Sequence, residues 1–260
     1  MDVLMIAVVL GFVLGFLIGL TGVGGGALVA PALYVILGLP YGEAVALSLI
    51  YSLFTKVVSG VQHMRQGTVL WKISLLYGLL GIPGAIVGSR IVYLADPGLQ
   101  RLFPLLMGGI LLLVSGLMLL EAAMRSLAAR EKPFSPHEFG WRGVLAIGAL
   151  QLVVGVLLGV TSIGSGSIII LSMVFLFRMS AREIVGSNIV IALIMVIPAG
   201  FTHYMAGGVD WRLLGLLLLG SVGGAVLGSK STMLLPDRAL KLAMIALIVG
   251  GAVSTIAKAW

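Results

Sequence analysis

Apolar runs of bilayer-crossing length recur from one end of this chain to the other, with almost no charge inside them. Crossing roughly 30 Å of hydrocarbon takes about 20 helical residues. Lipid offers no water to unpaired backbone groups, so such runs must be helices. Ten are counted, at about 3–20, 26–39, 44–63, 71–93, 99–120, 141–160, 167–177, 184–205, 211–229 and 239–257. With 60% hydrophobic and 10% charged residues among 260, no stretch is long and polar enough to be a separate soluble domain. The pattern predicts an all-α polytopic membrane protein.

Cysteine is absent, which excludes disulfides, thiolate catalysis and cysteine–metal sites. The net charge of +7 is scattered among the connections between apolar runs. That is a topology signal rather than a nucleic-acid patch. The start, MDVLMIAVV, has an acidic residue and no basic region, so a first membrane segment is expected there rather than a cleaved signal peptide. The one clearly hydrophilic connection, EAAMRSLAAREKPFSPHEFGWR, divides the chain into a first membrane repeat at 1–120, a polar cytoplasmic linker at 121–142 and a second membrane repeat at 143–260.

The two halves are copies. Adding 140 pairs Thr21, Gly24 and Gly26 with Thr161, Gly164 and Gly166, without a gap over about ninety residues. The same offset pairs Glu43 with Glu183, His63 with His203 and Trp71 with Trp211. Chance similarity between apolar helices supplies Leu and Gly matches, but not His, Trp, Glu and Thr in one register. The basic residues set the relation between the copies. Leaving out Lys56, which lies inside a segment, and taking each half to cross an odd number of times, eleven fall on one side: Arg65, Lys72, Arg125, Arg130, Lys132, Arg142, Arg178, Arg182, Lys230, Arg238 and Lys241. The other side holds four, Arg90, Arg101, Arg212 and Lys258. The positive-inside rule then predicts an inverted-topology repeat of two five-segment halves, in the inner (plasma) membrane, with both termini outside the cytoplasm.

Each half is interrupted early by glycine: Thr21, Gly22, Val23, Gly24, Gly25 and Gly26 in the first, Thr161, Ser162, Gly164, Ser165, Gly166 and Ser167 in the second. The segments that follow, ALVAPALYVILGL and SIIILSMVFLF, are short. Short, glycine-interrupted segments at matching positions of two halves point to a transporter's binding site. Broken or re-entrant helices are expected, their restarting ends presenting unpaired N–H groups to an anion. Packing glycines or surface turns are the plain alternative. Carbonyls at the ends of the preceding helices are a rival site for a cation. The nine acidic residues all lie in loops or at segment ends, which favours an anion.

Lys56 is the basic residue within a segment, on a stripe with Ser48, Ser52, Thr55, Ser59 and Gln62/His63. It serves either as a counter-charge to the substrate or snorkels to water. Asn188, the repeat partner of Ser48, is a further binding candidate. His63 and His203 end the third and eighth segments and are proton-coupling candidates, or else headgroup-level residues. Trp71, Trp141 and Trp211 open segments, as interfacial anchors do. No metal set, cofactor motif or G-x-x-x-x-G-K-[ST] loop occurs. An intramembrane enzyme would need a nucleophile–base or metal constellation that the segments do not offer.

At GFLIGLTGVGGGALVAPAL, LGLPYGEAVALSL, GVLLGVTSIGSGSIIIL and SNIVIALIMVIPAGFTHYMAGGVDW the chain resembles the TauE/SafE family of sulfite and organosulfonate exporters, over nearly its whole length. The resemblance implies a secondary transporter that moves a small sulfur-containing anion outward, driven by the proton gradient. Leu171 stands where the repeat would repeat Pro31, and SIGSGS carries less glycine than TGVGGG, so the second break departs from the pattern. Expected partners are a small anionic substrate and the lipid bilayer, without nucleic acid; a homo-oligomer is neither required nor excluded. The alternatives are a transporter of another small anion and a non-transporting membrane subunit of a larger complex.

Overall fold

The computed structural model describes residues 3–21, 26–125, 140–163, 167–177, 179, 181–207, 209–231 and 237–260. Among them the chain is helical and forms no strand. The first half runs through α1 (Val3–Thr21), α2 (Gly26–Val35), α3 (Tyr41–Arg65), α4 (Trp71–Leu94), a single turn α5 (Pro97–Gln100) and α6 (Phe103–Arg125). The second runs through α7 (Trp141–Thr161), α8 (Ser167–Leu176), α9 (Ala181–Met205), α10 (Trp211–Ser231) and α11 (Asp237–Ala259).

Two segments differ from the sequence reading by four or more residues at an end. The segment expected at 99–120 starts later and runs on to Arg125, because Glu121, Ala122, Ala123 and Met124 are strong helix formers that carry the helix past the apolar run. The segment expected at 26–39 stops at Val35, short of a turn with Gly38 at φ 69° and then Pro40. Helices α2 and α8 have ten residues each, about 15 Å at helical rise and half a bilayer. Four longer helices are apolar enough to cross one, at Trp71–Leu94, Pro97–Leu117, Gly143–Thr161 and Gly186–Met205. Large apolar side chains such as Leu79, Val153, Leu219 and Val222 face outward along these and neighbouring helices, as lipid contact requires.

The turn after α3 and the turn after α9 are built alike. Gly67 and Gly207, one repeat apart, both take left-handed φ, at 67° and 80°. Each closes its helix through an N–H bond to the carbonyl three residues back, Met64 and Tyr204. The next helix starts differently in the two halves. Asp210 accepts from the N–H groups of Arg212 and Leu213 and caps α10, whereas Leu70 donates its N–H to the Ser187 hydroxyl across the halves.

Glycine sets the tightest helix contacts. Gly11 and Gly15 of α1 lie on the backbone of α10, and Gly220 and Gly224 of α10 lie on that of α1. Gly84 and Gly88 of α4 meet Gly155 and Gly159 of α7 in the same way. At each position a Cβ would fall inside the contact radius of a neighbouring carbonyl oxygen. Spacings of four along each helix make this small-residue packing, which holds helices together where lipid is as apolar as leucine. Both pairs join one half to the other, and within each pair contacts advance together, so the helices run parallel. Helices α3 and α9 run antiparallel, with Gly60 against Ile189 and Leu193 and Gly200 against Ile50.

The core follows from this exchange. One cluster joins α1, α2, part of α3 and α10 around Leu14, Leu33, Leu47 and Leu217. A second joins α3, α4, α7, α8 and α9 around Leu49, Tyr77, Leu158 and Met195. A third sets α6 and α11 against the start of α2 and the end of α7.

Candidate functional site

The two interruptions meet. Helix α1 ends at Thr21 and α2 restarts at Gly26; α7 ends at Thr161 and α8 restarts at Ser167. Gly26 sits so close to the Ser162 backbone that no Cβ fits between them. Ser162 itself takes a left-handed φ of 62°, a strained conformation for a residue other than glycine. Its hydroxyl lies 2.9 Å from that of Ser48, which arrives from α3 two turns inside the helix start. All three positions are buried. Thus Gly26, Ser48 and Ser162 come from three separate stretches to one point.

Three of the last four carbonyls of α7 beside this point have partners. A helix leaves its last four carbonyls without helical partners. Here Leu158 O accepts from the Ser162 N–H at 2.7 Å, and Leu157 O, one residue earlier, also takes the Thr161 hydroxyl at 2.6 Å. Gly159 O lies 3.0 Å from His203 Nε2, and Val160 O accepts from the Tyr41 hydroxyl at 2.8 Å. A carbonyl only accepts, so Nε2 carries the proton of His203. The other ring nitrogen, Nδ1, lies 2.7 Å from the Tyr93 hydroxyl. His203 is fully buried between α4 and α7.

The stripe on α3 holds over its described part. Ser48, Ser52 and Lys56, one turn apart, are all buried. Among the described residues the Ser52 hydroxyl has no hydrogen-bond partner, and Lys56 has neither a hydrogen bond nor an ion pair. Thr55 turns back onto the carbonyls of Tyr51 and Ser52. His63 is half-buried at the end of α3, with Nδ1 2.9 Å from the Thr68 hydroxyl. The Thr161 hydroxyl is already engaged, donating to Leu157 O and accepting from the Ile163 N–H at 3.1 Å.

Asn188 does not join Ser48. Its neighbour Ile189 packs at the level of Gly60, three turns further along α3, and its Oδ1 is buried without a partner. Residues 22–25 and 164–166, and with them Gly22, Val23, Gly24, Gly25, Gly164, Ser165 and Gly166, lie outside the described residues. So do the side chains of Thr21, Ser59, Gln62 and Ser167.

Sequence reasoning missed Tyr41, Tyr93 and Gln151. Gln151 is fully buried on α7 with both amide atoms unpartnered among the described residues, and a lone amide inside an apolar segment was a usable signal. Tyr41 lay in plain view in LGLPYGEAVALSL, but only the fold reveals that its hydroxyl reaches a helix end 119 residues away. Above Tyr41 opens a cleft of about 640 Å³ between helix ends, lined by Tyr34, Glu43, Tyr93, Arg101, Phe103 and Lys258 among others.

Residues 7–255 match the family described as Sulfite exporter TauE/SafE. The chain belongs to the TauE/SafE family. It is 33% identical over 246 residues to "Probable membrane transporter protein YjnA" of Bacillus subtilis, covering 93% of this chain and 95% of that one. It is 28% identical over 240 residues to "Probable membrane transporter protein YdhB" of the same organism, with 92% and 95% covered. A relative from Methanocaldococcus jannaschii, "Probable membrane transporter protein MJ0441", is 29% identical over 171 residues, 63% of this chain and 58% of that one. No solved structure matches the chain. Family and relatives indicate a membrane transporter, and the apolar spans of this TauE/SafE chain make it a multi-pass membrane protein.

Proposed function

We propose that this TauE/SafE protein is a secondary transporter that exports a small sulfur-containing anion, such as sulfite, sulfoacetate or a related organosulfonate, coupled to protons. The observation that carries this is the meeting of Gly26, Ser48 and Ser162 beside a helix end where three of the last four carbonyls are occupied. Those carbonyls were the rival site for a cation, and at α7 those of Leu158, Gly159 and Val160 are taken by Ser162, His203 and Tyr41. The breaks also offer hydroxyls and the N–H groups of restarting helices, which suit an oxyanion. The glycine stretches at 22–25 and 164–166 add backbone amides to it, with Thr21, Ser165 and Ser167 as further donors. Lys56, two turns along α3 from Ser48, supplies the counter-charge, and Asn188 serves the same path from α9. The sulfur chemistry of the anion comes from the family; the site supports an oxyanion with a small head.

The inverted relation of the halves belongs to this reading. Equivalent helices α3 and α9 pack antiparallel, as copies related by an axis in the membrane plane must. Alternating access then needs two bodies. Because glycine contacts lock α1 to α10 and α4 to α7, the moving units pair α1 with α10 and α7 with α4, rather than one sequence half against the other.

Purified protein in liposomes tests the function. Labelled sulfite or sulfoacetate is expected to leave the vesicles under an imposed pH gradient, and excess unlabelled sulfonate should compete. Absence of movement of any oxyanion across several gradients would discard the transporter reading; movement of a different anion without competition by sulfonates would discard the sulfur class alone.

A further inference from the structure

The cleft and the meeting point of the two breaks lie on opposite sides of one side chain. Tyr41 lines the cleft above, and its hydroxyl is bonded to Val160 O below at 2.8 Å. Beneath it Val160 is 4% exposed, Thr161 and Ser48 0%, and Ser162 4%. The ring is held edge-on to Tyr34 at 6.2 Å and tilted against Phe103 at 5.7 Å. It therefore caps the buried hydroxyls from the cleft side with an aromatic plug latched by one hydrogen bond. The plug is the first residue of α3, directly after a turn with Gly38 at positive φ and Pro40. A second latch crosses the cleft wall, where the Lys258 ammonium donates to the Tyr34 carbonyl and lies 4.6 Å from the centre of that ring. Lys258 and Arg101 give the cleft two cations against the single carboxylate of Glu43.

We propose that the cleft is the vestibule through which a small anion passes on one side of the membrane, and that Tyr41 is the gate, closed in this conformation, between it and the hydroxyls of Ser48 and Ser162. Opening requires the phenol to leave Val160 O. An anion in the vestibule favours this by drawing Lys258 off the Tyr34 carbonyl, which frees the ring that Tyr41 packs on. This rests on Gly26, Ser48 and Ser162 as the anion site, but its test needs no transport.

The chain contains no cysteine, so a single Ser48→Cys thiol reports alone. Purified Ser48→Cys protein in detergent is treated with a negatively charged methanethiosulfonate, and the modification rate is followed by mass. Slow labelling is expected with Tyr41 intact. Tyr41→Phe keeps the plug and loses the latch, so the rate should rise by roughly three- to tenfold, the weight of one hydrogen bond. Tyr41→Ala removes the plug and should raise it further. Ser74→Cys, equally buried but near the opposite end of α4, is the control and should keep its slow rate. An unchanged Ser48→Cys rate in Tyr41→Ala would overturn the gate. So would an equal rise at Ser74→Cys, which would mean general loosening. Anion flux without gated labelling leaves the function standing and removes the gate; gated labelling without flux does the reverse.

Discussion

Lys56 lies nine residues before the end of α3 at Arg65, about 13 Å at helical rise, and is only 7% exposed. Within the protein it is buried on the α3 stripe. An ammonium inside an apolar segment costs roughly 2.5–3.5 kcal/mol on insertion scales. Lys56→Met preserves length and removes charge. Anion efflux should fall at least about tenfold, while the melting temperature of the purified protein holds or rises because a buried charge is gone. A drop in melting temperature matching the drop in flux would assign Lys56 to folding instead. His203 invites a similar exchange. A glutamine can donate to Gly159 O and accept from Tyr93, the two groups that face the imidazole from α7 and α4, but it cannot titrate. His203→Gln should therefore fold normally and lose most of the stimulation of efflux by a pH gradient. Retained stimulation would pass the coupling role to His63 or elsewhere.

At the scale of helices, close approach through glycine decides which helix lies against which. Gly155 rests on Gly81 and Ala85 of α4 with no room for a side chain. Gly155→Val must push α7 away from α4, and overpacking of this kind costs about 1–3 kcal/mol. The thermal midpoint in detergent should drop by several degrees, whereas Gly109→Val, which faces open space on α6, should leave it nearly unchanged. Equal effects at both positions would contradict the packing role. The short helices α2 and α8 were legible in sequence because glycine and length are local signals. Their meeting at Gly26 and Ser162 was not, since contact between residues 136 positions apart leaves no mark in either stretch. The GGVDW stretch was legible only as a resemblance; the fold explains it as a left-handed Gly207, an Asp210 helix cap and an exposed Trp211.

For the molecule as a whole, the exchange sets α10 against α1 and α4 against α7, and α3 meets α9 along a seam. Gly60 and Ile189 face each other across that seam, close enough for a disulfide once both are cysteine. Oxidised Gly60→Cys/Ile189→Cys protein should lose transport and regain it on reduction. Full activity of the oxidised α3–α9 pair would show that the seam does not move.

Taken alone, the sequence determined how many apolar segments there are, where they break, that the chain is duplicated and which family it belongs to. Each of these depends on local physics: a segment either satisfies its own backbone in lipid or it does not, and duplication is a comparison of the chain with itself. Only the tertiary structure decided that the fourth helices are exchanged, that His203 is buried against Gly159 and that the Tyr41 hydroxyl is bonded to Val160 O. The physical reason is that lipid is as apolar as the helix faces, so hydrophobicity carries no information about partners. Choice falls to backbone approach and single hydrogen bonds, which exist only once the helices are side by side.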